Sequence, residues 1–496
     1  MDTLTEYKAL LGDIDKLNSA VSLLQWDQRT YIPAGGHTGR AEVLGKLSKM
    51  AFELATSDRL GGLIASLEGA EDLSELERAS VRVVGRDYRR NKAIPADLFE
   101  RFTIARVNSE SAWEQSKDSS DFASFAPHLS EMVRYVRQFA ELYGYDESPY
   151  DALLEEYEPG MTAARLRAII EPLKAKLVPF LRHLLENGSA PDTSFLRGRF
   201  SVKAQRDLAM EALRAIAYDF DAGRMDDTTH PFTIEIGPGD VRVTNRYHED
   251  LVLSGLFSAL HEGGHALYGQ GIPETLRPLG LADGASYGIH ESQSRLWENM
   301  VGRSLPFWRY FHSKIADALP TLGGRSPEDL CGAANVVQPS LIRVEADEVT
   351  YNLHIMLRFE LEVALLTGDL DVMGLPDAWR DGMRRYLGVE PTCHADGVLQ
   401  DVHWSAGLIG YFPSYMLGNL YAAQLYATAR RELPNLDEQI ERGQATVLLE
   451  WLREKIHHQG RIYEPETLIQ LVTGEPPRST FFVDYVTEKY SRVYGL

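Results

Sequence analysis

The stretch EDLVLSGLFSALHEGGHALYG, residues 249–269, carries an apolar helical run into a pair of histidines. His261 and His265 are four residues apart, so both imidazoles lie on one helical face and can reach one ion. Glu262 lies about 100° round the helix from His261, where it can reach a water beside that ion but cannot easily share the ion itself. This spacing predicts zinc-peptidase chemistry with Glu262 as the general base.

Gly263 and Gly264 stand between the two histidines. Each glycine inside a helix costs about 1 kcal/mol relative to alanine, so their presence calls for a reason. A close approach of another backbone segment would supply that reason. The alternative is a buried helix whose two histidines are merely hydrogen-bonded, but the complete pattern favours a metal site.

A zinc site for catalysis needs a third protein ligand and one open position. The acidic residues that follow the motif are Glu274, Asp283, Glu291 and Glu298. Glu274 and Asp283 lie in loop-like sequence, whereas Glu291 opens a second helical stretch, and ligands on rigid helices are better placed. Glu291 is the preferred third ligand. The alternative role for Glu291 is a first-turn acid that complements the helix dipole.

Outward from this motif, most of the chain has helical periodicity. A chain of 496 residues exceeds what one core usually supports, so two or three lobes are expected. We predict a helical N-terminal lobe at about 1–200 and a catalytic lobe at about 201–496. Within the first, helical patterns cover residues 3–25, 39–56, 74–92, 95–117, 121–143 and 163–186. In the second, alternation over 231–247 around Gly237-Pro238-Gly239-Asp240 predicts a β-hairpin with a four-residue turn.

Charge and composition exclude some classes of protein. The formal charge of −21 argues against a nucleic-acid partner, which would need a basic face. Only two cysteines, Cys331 and Cys393, are present, so a reducing compartment is the default. The first residues show no basic region followed by an apolar run, and a cytoplasmic location is expected. Residues 404–429 carry no charge, but their tyrosines and Pro413 indicate buried protein interior near a site, not a membrane span.

These residues together resemble the carboxypeptidase Taq family of metallocarboxypeptidases. The resemblance runs from about residue 10 to the C-terminus in one order. It rests on His230-Pro231-Phe232, Asp240-x-Arg242-x-Thr244, His261-Glu262-Gly263-Gly264-His265, His290-Glu291-Ser292-Gln293, Ile342-Arg343-x-x-Ala346-Asp347 and Gly397-x-x-Gln400-Asp401-x-His403-Trp404. Trp26-Asp27 with Pro33-x-Gly35-Gly36, and Tyr157-Glu158-Pro159-Gly160-Met161-Thr162, also match.

The resemblance implies a mainly α fold, a two-lobed helical clam with a deep central groove and a small β-sheet at the cleft, similar to angiotensin-converting enzyme and neurolysin. It implies His261, His265 and Glu291 as metal ligands, with Zn²⁺ or Co²⁺ as the ion. It also implies a homodimer with broad carboxypeptidase activity on peptides that have a free C-terminus.

The reaction needs a donor for the oxyanion that forms at the cleaved carbonyl. His403 and the uncharged, tyrosine-rich run that follows it supply the candidates, which are His403, Tyr411 and Tyr415. The alternative for each tyrosine is a structural role in the core, in which the ring packs against apolar side chains and the hydroxyl has a hydrogen-bond partner inside the protein.

An exopeptidase must also bind the free carboxylate of its substrate, and the planar fork of arginine suits this. Arg343 lies in apolar sequence and needs an anion. The resemblance favours Arg343 as the carboxylate clamp, and the alternative is an intrahelical pair with Asp347 at i+4.

The hairpin contributes the remaining candidates. In zinc peptidases of this general shape an edge strand pairs with extended substrate backbone. We expect residues 241–244, with Arg242, to line the groove, and His230-Pro231-Phe232 to close one end.

Two other functions remain open at this point. An oligoendopeptidase or dipeptidyl carboxypeptidase would share the motif and the clam shape, and an amidated peptide would distinguish them. A non-catalytic peptide- or metal-binding protein would lack a base or a ligand, whereas Glu262 and all three ligand candidates are present.

Overall fold

The computed structural model describes residues 2–496, and helices dominate it. The helices are α1 (Thr3–Thr30), α2 (His37–Ala55), α3 (Asp58–Glu68), α4 (Glu75–Ala93), α5 (Ala96–Ser119), α6 (Phe122–Tyr143), α7 (Pro149–Leu154), α8 (Ala163–Asn187), α9 (Val202–Ala215), α10 (Ser254–Gly271), α11 (Tyr287–Arg295), α12 (Leu305–Ala318), α13 (Pro327–Ala334), α14 (Tyr351–Thr367), α15 (Leu375–Leu387), α16 (Phe412–Glu432), α17 (Leu436–Glu441), α18 (Thr446–Lys455), α19 (Pro465–Thr473) and α20 (Thr480–Tyr494). The strands are β1 (Met225–Asp227), β2 (Thr233–Gly237) and β3 (Asp240–Asn245). The predicted mainly α fold with a small sheet is confirmed.

Local sequence signals explain where many helices begin. Ser74 accepts a hydrogen bond from the Glu77 backbone and Glu77 reaches back to Ser74, which forms a capping box at the start of α4. The side chains of Asp121 and Thr162 accept hydrogen bonds from backbone amides in the first turns of α6 and α8, which caps these helices without a reciprocal contact. The helices predicted before residue 187 are therefore found within a few residues of the expected bounds.

The sheet differs in one respect from the prediction. The hairpin of β2 and β3 is present, with Thr233 opposite Val243, but its turn consists of the two residues between Gly237 and Asp240. A third strand, β1, pairs in parallel with β3, so the strand order is β1-β3-β2. The expectation that residues 241–244 form the groove-lining edge strand is wrong, because β3 is central and β2 lies at the edge. β1 has three residues and was too short to show alternation.

The core is continuous across the middle of the chain. The largest apolar cluster runs from Phe122 on α6 to Tyr494 on α20 and includes the buried faces of α8, α10 and α16. A smaller cluster joins α1, α3 and α4. Since the large core extends across residue 200, that boundary does not separate two cores, and the division into lobes at 200 stays a prediction.

The uncharged run after residue 404 forms interior helix, as expected. α16 buries sixteen of its residues, including Tyr421 and Gln424. It packs along α11, and α10 also packs against α11. Among residues 2–496, no helix combines the length and the apolar character that crossing a bilayer requires.

Candidate metal and catalytic site

Two helices bring the predicted metal ligands together. His261 and His265 project from α10, and Glu291 projects from α11. One donor atom from each of the three lies within 4.8 Å of the others. The Oε2 atom of Glu291 is 3.7 Å from Nε2 of His261 and 3.4 Å from Nε2 of His265. Two imidazole nitrogens and one carboxylate oxygen form a donor set that suits zinc.

The two glycines of the motif are explained by close packing. A Cβ at Gly264 would lie 2.6 Å from the carbonyl oxygen of Gln293, and a Cβ at Gly263 would lie 2.7 Å from side-chain atoms of Leu213 and Ile216. Gly264 therefore lets the backbone of α11 approach α10 closely enough for Glu291 to reach the histidines. The predicted close backbone approach is confirmed at Gly264, whereas Gly263 makes room for side chains of α9 and the residue after it.

Glu298 orients the first histidine. Its Oε2 is 2.9 Å from Nδ1 of His261, which leaves Nε2 of His261 free toward the other ligands. Glu298 lies in a π-helical turn, Leu296–Val301, that continues α11. Sequence reasoning found Glu298 only as a possible ligand and did not identify the partner of His261.

Neighbouring arginines hold the buried carboxylates of Glu291 and Glu298 in the ionised form. Nε of Arg295 lies 2.7 Å from Oε1 of Glu291, which leaves Oε2 toward the histidines. Burial alone would raise the pKa of Glu291, but Arg295 and the two histidines lower it far below its usual range. Burial likewise opposes ionisation of Glu298, and Arg295, His261 and Arg303 lower its pKa. Glu291, the candidate third ligand, is thus an anion whose Oε1 is held by Arg295, while its Oε2 faces the histidines and accepts a hydrogen bond of 3.1 Å from the hydroxyl of Ser294.

The catalytic candidate Glu262 lies at the wall of a cavity of about 710 Å³. Its Oε2 accepts a hydrogen bond of 2.7 Å from the hydroxyl of Thr233 on β2. The same hydroxyl is 2.8 Å from the backbone oxygen of Glu262. Thr233 was not identified from the sequence, because one threonine in an alternating strand carries no signal of this role.

The cavity is also lined by all three predicted ligands and by two of the predicted donors. Tyr411 and Tyr415 both reach it. His403 stands behind them: its Nε2 lies 3.3 Å from the hydroxyl of Tyr415, and it does not line the cavity. Burial and the positive charge of Arg343 lower the pKa of His403 to about 3, so the ring is neutral at ordinary pH.

Arg343 is paired, but not with the residue considered from the sequence. Its guanidinium donates to Oδ1 of Asp401 at 2.8 Å and to the hydroxyl of Tyr351 at 2.9 Å. Asp347 instead accepts hydrogen bonds from neighbouring backbone amides, so the intrahelical alternative is wrong. Residue 343 lies in a short 3₁₀ turn and not in an α-helix, which removes the i+4 geometry. Arg343 is 5% exposed and lies outside the cavity lining.

The candidate residues at and before the hairpin differ in whether they reach the cavity. Pro231 and Phe232 line it, whereas His230 and Arg242 do not. The hydroxyl of Thr244 accepts a hydrogen bond of 2.9 Å from the backbone amide of Phe232. Arg242 is paired with its neighbour Asp240.

A helix with two histidines one turn apart, joined by a carboxylate from the next helix, defines the chain as a metallopeptidase by class. Comparison gives the family. The model of the carboxypeptidase Taq (M32) metallopeptidase family matches residues 6–490, and the chain belongs to that family. It is a metallocarboxypeptidase, a hydrolase of peptide bonds.

Named relatives cover nearly the whole chain. Carboxypeptidase 1 of Bacillus subtilis is 42% identical over 99% of this chain and 98% of its own. Thermostable carboxypeptidase 1 of Thermus thermophilus is 45% identical over 99% and 97%. The crystal structure of the M32 carboxypeptidase from Deinococcus radiodurans superposes with a TM-score of 0.97, at 37% identity and with complete coverage of both chains.

Proposed function

We propose that the enzyme uses Zn²⁺, with Co²⁺ as a working substitute, to release single amino acids of many kinds from the C-termini of peptides. The observation that carries the proposal is the convergence of His261, His265 and Glu291 within 4.8 Å at the wall of the cavity, beside Glu262. A zinc ion held there would lower the pKa of water and polarise the substrate carbonyl.

Glu262 is the general base in this proposal. Thr233 holds one carboxylate oxygen, and the other has no hydrogen-bond partner among residues 2–496. That free oxygen can take a proton from water in the cavity and return it to the leaving nitrogen. The arrangement supports a base that is fixed in place yet open on the reacting side.

Tyr415 is the preferred donor to the carbonyl oxygen of the cleaved bond. Burial raises the pKa of its hydroxyl above the usual range, so the phenol stays protonated and able to donate. His403 contacts that hydroxyl from behind and can orient it as a neutral ring. Tyr411, whose ring centroid lies 5.1 Å from that of Tyr415, is the second candidate donor.

Arg343 would attract the free carboxylate of the substrate. Two buried guanidinium groups, Arg343 and Arg358, share the single carboxylate of Asp401, which leaves one positive charge in excess. The guanidinium carbon of Arg343 is 4.9 Å from the ring centroid of Tyr415, which lines the cavity. This excess charge supports preference for a free C-terminus.

The end of the groove is assigned to residues 230–232. The Thr244 contact fixes Phe232, and Arg242 lies over the ring of Trp26 at 4.3 Å, which braces the hairpin from outside the cavity. We propose that His230-Pro231-Phe232 stops the chain just beyond the cleaved bond, and that Arg242 supports this stop without touching substrate.

The experiment compares a blocked dipeptide and a longer peptide, each with a free or an amidated C-terminus. Release of only the last residue from free C-termini is expected, with loss after chelation and recovery with Zn²⁺ or Co²⁺. Glu262→Gln should lose about 10²- to 10⁴-fold in kcat while still binding metal. Arg343→Met should raise KM for free C-termini about 10-fold or more. Internal cleavage of the amidated peptide would indicate an endopeptidase, and release of dipeptides a dipeptidyl carboxypeptidase.

Association into a homodimer is also proposed. α2 buries only Ala51, and it exposes Val43, Met50 and Phe52. Phe52 stacks on the exposed Phe99 of α5 at 6.1 Å, which extends the apolar surface. Such a patch is typical of a protein interface. Sedimentation should give a dimer for the wild type and a monomer for Met50→Glu/Phe52→Glu.

A cytoplasmic location completes the proposal. Cys331 and Cys393 are both free thiols. Free thiols are stable in a reducing compartment. Cell fractionation with an antibody to the protein tests this placement.

A further inference from the structure

Glu158 reaches the first turn of the helix that carries the third metal ligand. Its side chain is fully buried, and its Oε1 accepts a hydrogen bond from the backbone amide of Gly288 on α11. The carbonyl of Tyr157 accepts a hydrogen bond of 3.1 Å from the amide of Tyr287. The first amides of a helix have no partner within it, so residues 157 and 158 supply two of the partners that α11 needs.

The same carboxyl faces α16. The hydroxyls of Ser286, Ser414 and Tyr421 act to lower its pKa, as does the amide of Gly288. Among the described residues, Oε2 of Glu158 and the hydroxyls of Ser414 and Tyr421 have no hydrogen-bond partner. Burial outweighs them and raises the pKa of Glu158 to about 8. A protonated carboxyl has an acceptor oxygen and one O–H donor, and the glutamine amide has an acceptor oxygen and two N–H donors, so glutamine is a close neutral substitute here.

The two helices that Glu158 joins carry different parts of the candidate site. Gly288 is one turn before Glu291, and Ser414 adjoins Tyr415. Contact at Gly288 is tight: a Cβ there would lie 3.0 Å from the carboxyl carbon of Glu158. A movement of the Glu158 side chain would therefore be transmitted to the start of α11.

We propose that Glu158 is a positioning residue that fixes α11 against α16, and so sets the place of Glu291 relative to the two histidines. This inference rests on the proposed metal site and adds a residue that touches neither metal nor substrate. Partners that orient metal ligands typically change metal affinity about 10- to 100-fold when they are removed.

The test measures the affinity for Zn²⁺ by competition with a chelator, together with kcat and KM. Glu158→Ala should weaken zinc binding about 10- to 100-fold and lower kcat at saturating zinc, with KM little changed. Glu158→Gln should bind zinc within about threefold of the wild type. If Glu158→Ala does not fold, Glu158→Asp, whose carboxyl is one methylene shorter, should show a smaller loss in the same direction.

Two further variants separate positioning from general stability. Gln205→Ala removes a buried side-chain amide that donates hydrogen bonds to the backbone carbonyls of Phe200 and His248. It should lower the melting temperature and leave zinc affinity unchanged. Gly288→Ala should weaken zinc binding, and the double variant Glu158→Ala/Gly288→Ala should lose less than the sum of the two single losses.

The outcomes distinguish this inference from the function on which it rests. Zinc affinity of Glu158→Ala equal to the wild type, or a loss matched by Gln205→Ala at equal destabilisation, would overturn the role of Glu158. Additive losses in the double variant would also count against it. A folded wild type that binds no zinc would overturn the proposed function instead.

Discussion

Gly418 of α16 lies directly against Glu291 of α11: a Cβ at position 418 would stand 2.6 Å from the Cβ of Glu291. α11 and α16 therefore meet at the candidate third ligand with no space for a side chain between them. The position of Glu291 thus depends on a residue 127 positions later that has no side chain of its own.

Gly418→Ala should displace Glu291 and weaken zinc binding, by about 10- to 100-fold if it acts as loss of an orienting contact does. Isothermal titration with Zn²⁺ measures this directly. Gly62→Ala is the matched control, because Gly62 lies in α3 with nothing within 4 Å of an added Cβ. The control should gain about 0.5–1 kcal/mol of stability and keep its zinc affinity. Equal zinc affinity in both variants would show that α16 moves to accommodate the added methyl group without displacing Glu291.

Glu298→Ala should weaken zinc binding about 10- to 100-fold, because His261 loses the partner of its Nδ1. It also leaves Arg295 and Arg303 without one anion. Glu298→Gln keeps an acceptor oxygen and should lose less. Competition with a chelator ranks the zinc affinities of the wild type, Glu298→Ala and Glu298→Gln. Equal zinc affinities of the two variants would indicate that the contact does not orient His261.

Thr233→Val should lower kcat about 10-fold, because one hydrogen bond of about 1.5 kcal/mol to the Glu262 carboxylate is lost. Valine has nearly the same shape, so zinc affinity should stay as in the wild type. Steady-state kinetics at saturating zinc check the first statement and chelator competition the second. Thr233→Ser, which keeps the hydroxyl, is the control and should retain most of the activity.

Glu235→Gln tests a pH dependence of stability. Burial, with Asp283 adding to it, raises the pKa of Glu235 from 4.5 to about 7. Between these values the unfolded chain is ionised while the folded protein holds the proton, so the wild type loses stability as the pH rises. The variant escapes this loss. Its unfolding free energy should exceed that of the wild type by an amount that grows from pH 4.5 to 7, up to about 3 kcal/mol.

Urea unfolding of metal-free protein at several pH values measures that difference. A difference that is constant with pH would mean that Glu235 titrates alike in the folded and unfolded chains.

Some features of the site follow from sequence because they are local. The i, i+4 spacing places His261 and His265 on one face of any helix, and the helical position of Glu291 made it the best third ligand. For a similar reason six of the helices before residue 187 were predicted, whereas α3 and α7 were not, since apolar period and side-chain caps act within a few residues.

Other features depend on contacts between distant segments. Arg343 forms its ion pair with Asp401, which is 58 residues away in the sequence. No spacing rule would select Asp401 over Asp347 as this partner. Glu298 could be found as an acid near the motif, but its role depends on the packing of α11 against α10. The short β1 was missed because its pairing with β3, and not its own pattern, makes it a strand.

The sequence by itself determined the mainly helical fold, the histidine pair with its candidate base Glu262, and the family resemblance, because helix periodicity and motif spacing are properties of neighbouring residues. Only the tertiary structure decided which groups hold those residues in place. Thr233, Glu298, Gly418 and Glu158 come from four different elements of the chain. Their contacts exist because burial of the apolar faces of α10, α11 and α16 brings those elements together. The hydrophobic effect that drives this burial is non-directional, so the linear sequence does not show which distant residues it will place in contact.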